Sequence, residues 1–187
     1  LLPSSFAIGG QAKVRVGLLL PYTGTYAQLG GNIKDALALR IEQAGGRLGG
    51  REVEFVSIDS EAKPPKAAEL TNKLIQKEKV DFLVGPVHSV VGMAMAKLAR
   101  KDGLITVIPN AGANQLTGSL CAPNLFRTSF SSFQPGYPGG KAMLEDGHKR
   151  VVLMYWNYGF GKEVAAAFKQ SFLAGGGVIL KEIPTPF

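Results

Sequence analysis

Apolar residues recur along the chain with two alternating periods. Val14–Leu20 is a near-continuous apolar run, the pattern of a parallel strand buried on both faces. After a Pro- and Gly-containing turn, Ile33, Ala36, Leu37, Ile41 and Ala44 fall three and four apart and predict one face of a helix. Gly45 and Gly46 end it. Val53–Ile58 reads as a second strand; Pro64 and Pro65 then open a helix whose inner side is Ala67, Leu70, Leu74 and Ile75. Val80–Val84, closed by Gly85-Pro86, is a third strand. Val91, Ala94, Met95, Leu98 and Ala99 trace a third helix ended by Gly103, and Leu104–Ile108 is a fourth strand. Four strands thus alternate with three helices. The expected fold class is α/β, a doubly wound parallel sheet with helices on both faces.

The rhythm breaks over residues 109–124, which are rich in turn formers and carry no period. Phe126–Phe130 reads as a short strand or extended crossing, and Gln134–Gly147 as a weak helix interrupted by Pro and Gly. Six apolar residues, Val151–Trp156, predict another buried strand. Phe160, Val164, Phe168 and Phe172 line one helix face, Gly175–Gly177 ends that helix, and Val178–Ile183 is a last strand. A strand-helix-strand unit of about sixty residues buries little surface alone and leaves strand edges unpaired. Two arrangements answer this: the unit packs on the first sheet, or it begins a second, similar lobe of a longer protein. The segments expected are a leader or signal-peptide remnant over residues 1–12, a ligand-binding lobe over 13–126, and the first, incomplete part of a second lobe over 127–187.

Composition narrows the function classes. The 187 residues are 45% hydrophobic and 19% charged, which excludes wholesale disorder. One cysteine, Cys121, excludes an internal disulfide or a cysteine zinc cluster. The net charge of +7 makes nucleic acid the first partner to test. Yet the basic residues stand singly or in pairs, mostly at helix ends and turns, so the expectation is a dispersed solvated surface and no nucleic-acid partner. No apolar run reaches the ~18 residues of a membrane helix. Residues 1–12, LLPSSFAIGGQA, read either as the tail of an export signal or as a plain leader.

Enzyme signatures are sparse: there is no Walker loop, G-x-S-x-G elbow or H-E-x-x-H. His88 and His148 fall in distant segments, so no metal site and no cofactor are expected. Gly159-Phe160-Gly161 after a strand, with Glu182 about twenty residues on, imitates a dinucleotide fingerprint. The third small position falls on Val164, which argues against a nucleotide-binding enzyme.

Ligands of open parallel sheets bind beyond the carboxyl ends of the strands. Three loops leave that edge here, Pro21–Gly30, Gly85–Val90 and Pro109–Asn114. Ser89 is placed to N-cap the third helix, and a helix N-terminus attracts anions. Ala111, Gly112 and Ala113 add amides on a loop without bulk. These groups suit a carboxylate, or else simply cap and turn the chain.

From residue 13 onward the chain resembles type I periplasmic solute-binding proteins, the branch of leucine/isoleucine/valine-binding proteins and relatives taking aromatic acids. The resemblance rests on P-x-T-G-x-x-A-x-x-G from Pro21, G-G-x-x-G-G-R-x-V from Gly45, V-G-P-x-x-S from Val84, I-P-N-A-G-A-N-x-L-T from Ile108, and F-R-T-S-F from Phe126, all in order. It implies a periplasmic, exported protein that does no chemistry, binds a small carboxylate between two lobes and delivers it to an ABC permease. By the same resemblance Ser89 and the backbone at Ala111 and Ala113 hold the carboxylate, Leu29 packs on its apolar part, and Tyr158 closes over it from the second lobe. Val87, His88, Tyr26 and Phe130 are wall candidates, His88 with an added donor. Tyr22, Tyr26, Phe130 and Tyr158 lean the ligand toward an aromatic acid over a branched-chain amino acid.

Members of that family are about twice this length, so the resemblance covers one lobe and the start of another. Two or three charged hydrogen bonds contribute about 1.5–3 kcal/mol each before ordering costs, whereas a micromolar complex needs about 8 kcal/mol. The expectation is therefore millimolar binding or weaker by one lobe, with self-association through the exposed second-lobe strands as a further possibility. A sensor ectodomain of the same fold is the leading alternative.

Overall fold

The computed structural model describes residues 12–187, so the leader expected over residues 1–12 lies outside the described residues except for Ala12. Parallel strands β1 (Val14–Leu20), β3 (Arg51–Asp59), β4 (Phe82–Val84), β5 (Ile105–Ile108) and β6 (Leu125–Arg127) form one sheet. A two-residue strand, β2 (Arg47–Leu48), was not expected; it pairs antiparallel with β3 through the Gly49-Gly50 turn and makes the sheet mixed. The order is β2-β3-β1-β4-β5-β6. The chain leaves β1 on one side for β3 and returns to its other side for β4, so the loops after β1 and β4 diverge at the switch point.

β1 is buried on both faces, as its unbroken apolar run requires. Val14, Val16, Leu18 and Leu20 face Ile33 and Leu37 of helix α1 (Ala27–Gln43). Leu19 faces the other layer, helices α2 (Ala67–Asn72) and α3 (Ser89–Asp102), with Leu74, Leu83, Val91, Met95 and Ala99. Leu18, Leu19 and Leu20 are wholly buried, each contributing about 1.5–3 kcal/mol. Two contacts explain why small residues recur at the strand ends. A Cβ on Gly30 would overlap the carbonyl oxygen of Pro21, and one on Gly85 would overlap that of Leu19. Here helix and loop approach the strand ends too closely for any side chain.

Beyond β6 the chain forms α4 (Phe133–Glu145), β7 (Arg150–Trp156), α5 (Gly159–Ala174) and β8 (Val178–Thr185). β7 and β8 pair parallel in a separate two-stranded sheet and do not join the first. α4 and α5 cross at Gly136 and Gly140, where a Cβ would meet the Val164 and Phe168 carbonyls and Ser171 Oγ. β7 departs from the buried strand that its six apolar residues predict. Only alternate residues are covered, and Val152 and Met154 are 53% and 66% exposed. Helices cover one face of this small sheet and leave the other bare.

Candidate functional site

Three loops converge where the sheet order reverses. After β1, the turn at 22–26 is fastened to the end of β3 through Asp59. Its carboxylate accepts the Tyr22 amide at 2.8 Å, the Thr23 hydroxyl at 2.6 Å and the Glu61 amide at 2.8 Å. Burial alone would raise the Asp59 pKa, but these hydrogen bonds lower it below the usual carboxylate value. The turn delivers Tyr26 to the start of α1.

At α3 the expected capping residue is displaced by one position. His88, not Ser89, is the N-cap: its backbone is extended, and Nδ1 accepts the Val90 amide at 3.2 Å. Ser89 is the first helical residue, and it is buried. Burial lowers the His88 pKa to about 4, so the ring is neutral at pH 7, and with Nδ1 accepting, its proton sits on Nε2.

The loop after β5 brings a second correction. The Ala111 amide, expected to face a ligand, donates to the Pro86 carbonyl at 3.2 Å, and the residue is wholly buried beside Gly92. It ties two loops together and offers nothing to a cavity. Gly112 is next to it in the chain and does reach the cavity. The Gly112 carbonyl accepts the Ser132 amide at 2.6 Å and the Ser132 hydroxyl at 2.7 Å. Arg127, at the end of β6, donates to the Ala113 carbonyl at 2.9 Å and to Thr117 Oγ1 at 2.6 Å. Burial lowers the Arg127 pKa, and attraction to Glu163 offsets part of that shift.

The smaller unit covers these loops with aromatic rings. Tyr158 stacks on His88 at 4.6 Å and its hydroxyl meets that of Tyr26 at 2.6 Å. Burial raises both tyrosine pKa values, and the shared hydrogen bond raises Tyr158 further. Phe160 stands 6.1 Å from Phe130. Between the layers lies a cavity of about 150 Å³, lined by Tyr26, Val87, Ser89, Asn110, Gly112, Phe130, Trp156, Tyr158 and Phe160.

Six of the ten residues expected at the site line this cavity: Ser89, Gly112, Val87, Tyr26, Phe130 and Tyr158. Ala111, Ala113 and His88 are buried and are not among the residues that line it, and Leu29, on α1, is 36% exposed and does not line it either. Asn110, Trp156 and Phe160 were not expected. Phe160 heads an apolar stripe at spacing four and reads as core. The signal that could have found it is positional: it lies in the first turn after a strand, as Ser89 does. The dinucleotide-like Gly159-Phe160-Gly161 has a different use. A Cβ on Gly161 would overlap the Trp156 carbonyl, so the glycine lets α5 sit against its own strand.

A family model described as periplasmic binding protein matches residues 13–187. The chain belongs to the periplasmic binding protein family. Among relatives of this periplasmic binding protein, Leu/Ile/Val-binding protein homolog 6 of Brucella abortus is 29% identical over 174 residues, which cover 92% of this chain and 44% of that one. Among solved structures, an ABC transporter solute-binding protein from R. palustris in complex with benzoate is 52% identical. Its TM-score is 0.92, over 94% of this chain and 49% of that one. One from Rhodopseudomonas palustris BisB5 in complex with 3,4-dihydroxybenzoic acid is 32% identical, with a TM-score of 0.86 over 93% and 47%. The leucine binding protein LivK of Thermotoga maritima is 25% identical, with a TM-score of 0.80 over 93% and 49%. The chain spans about half the length of the relatives it matches. Among the described residues, no helix is long and apolar enough to cross a membrane.

Proposed function

We propose that this chain is part of an exported, periplasmic solute-binding protein of an ABC importer, and that its cleft takes a small monocyclic aromatic carboxylate. Residues 13–126 are assigned to the ligand-binding lobe and 127–187 to a second lobe. The protein performs no reaction; it captures the acid and presents it to the permease.

The observation that carries this reading is the make-up of the cavity. Its floor is Ser89 at a helix N-terminus and the small residue Gly112, which suit an anion. Its walls are five aromatic rings, Tyr26, Phe130, Trp156, Tyr158 and Phe160, which suit a planar apolar body. At about 150 Å³ it is smaller than the roughly 300–1,000 Å³ of a drug-sized pocket. The benzoate and dihydroxybenzoate complexes of similar proteins support the same ligand class. A branched-chain amino acid is the second reading, favoured by the Leu/Ile/Val-binding relatives.

Calorimetric titration and thermal shift with benzoate, 4-hydroxybenzoate and leucine test it. The expected result is millimolar binding of the benzoates, with a rise in melting temperature that scales with ligand concentration. Leucine should have little effect. Stabilisation by leucine alone selects the amino-acid reading, and no response to any of the three overturns the carboxylate assignment.

A further inference from the structure

Arg127 touches nothing in the cavity, yet its bonds determine which way the neighbouring loop faces. In a trans peptide the C=O and N–H point in opposite directions. The Gly112 carbonyl is held by Ser132 through two hydrogen bonds, with Arg127 Nη1 3.5 Å away, and the Ala113 carbonyl is held by Arg127 at 2.9 Å. The partner amides, on Ala113 and Asn114, must therefore point away from the guanidinium. The structure shows where that direction leads. The Asn114 amide crosses to the smaller unit and donates to Glu163 Oε2 of α5 at 3.0 Å. Phe160, on the same helix, lies over Gly112. The amide edge of the loop thus faces α5, and its carbonyl edge faces the cation. The Gly112 and Ala113 amides find no backbone or side-chain acceptor among the described residues.

We infer that Arg127 is a positioning residue for the ligand carboxylate: it turns the peptides at 112–114 so that their amides face the cleft, and supplies positive charge through the loop without touching the ligand. Donors backed by a cation polarise one another, which strengthens the hydrogen bonds they offer. Ser132 assists on the Gly112 carbonyl. Glu163 is the nearby opposing charge; by accepting the Asn114 amide it already places one carboxylate on this edge. The inference rests on the carboxylate reading above.

The test compares a charged probe with a neutral one of the same shape, benzoate and benzamide, in ligand-detected NMR titrations of the chain. The wild type should prefer benzoate. Arg127→Gln, which keeps donors but removes the charge, should cut that preference about tenfold, with benzamide affinity changed less than about twofold. Arg127→Lys should restore most of the preference. Ser132→Ala, a milder change that keeps the cation, should lower it about two- to threefold. Equal losses for both probes in Arg127→Gln, or no loss, would overturn the inference and leave the carboxylate reading standing. A wild type binding both probes equally well also overturns it. A wild type binding neither probe overturns the carboxylate reading and this inference with it. If Arg127→Gln does not fold, Ser132→Ala decides: an unchanged benzoate preference there counts against the inference.

Discussion

His88 shows how one side chain can serve packing and local backbone geometry together. Its Nδ1 satisfies an amide that α3 would otherwise leave open, and its ring forms the surface on which Tyr158 stacks. The cost is a histidine that resists protonation. Because the folded pKa is lowered to about 4 from 6.5, the unfolded chain binds the proton more readily between those values. His88 therefore destabilises the fold progressively as pH falls from about 6.5 toward 4, by on the order of 2 kcal/mol. Urea unfolding of the wild type should show a falling midpoint over that window. His88→Asn can still cap the helix and does not titrate there, so its profile should be flatter. Parallel profiles for the two proteins would refute this assignment. Asp59 behaves in the opposite sense. Its folded pKa is lowered, so its contribution is present above the unfolded value near 3.8 and is lost as pH falls through the folded one.

Helices meet their neighbours at very different distances, and the glycines record this. Gly140 lies against Ser171 Oγ and the Phe168 carbonyl, where backbone cannot yield cheaply. Gly140→Ala should force α4 from α5 and cost about 1–3 kcal/mol, read as a fall in thermal midpoint. Gly31, inside α1, has nothing within 4 Å of a would-be Cβ. Gly31→Ala should raise stability by about 0.5–1 kcal/mol, since alanine is the better helix former. A loss at Gly31, or none at Gly140, would show that the helix contacts are misread. α1 itself is loosely held: of its predicted apolar face, Ile33, Leu37 and Ile41 are half-buried while Ala36 and Ala44 are exposed.

Taken whole, the chain is uneven. The six-stranded sheet is covered by helices on both sides at β1, whereas β7 and β8 stand as a pair with Val152, Met154 and Leu180 at least half exposed. Two strands with one bare face should open more readily than the larger sheet. Hydrogen exchange should protect the amides of Leu18–Leu20 at least about a hundredfold more than those of Val152 and Met154. Equal protection would mean that both units open as one. The bare strands are also where the expected self-association would occur, and Val152→Lys should abolish any concentration-dependent dimer seen in sedimentation.

The order and type of the main elements are legible in the chain's apolar pattern, because burial on both faces leaves an unbroken apolar run in β1 and burial on one face leaves a three-four period in α3. Glycine and proline marked most of the ends. The sequence also brought Ser89 and Gly112 forward, since small residues and helix starts beyond strand ends are visible as composition, whereas Tyr158 came forward only through the family resemblance. Tertiary structure alone decided the rest. Whether Val151–Trp156 is covered on one face or two depends on which layers are present, and an apolar run cannot report that. Ala111 and Gly112 are equally small, and only the approach of the Pro86 carbonyl separates a loop-to-loop tie from a cavity wall. His88 takes the cap from Ser89 because its ring folds back onto Val90. Arg127 meets the 112–114 loop only when β6 lies beside β5, because the contact joins residues brought together by strand order and not by spacing in the chain.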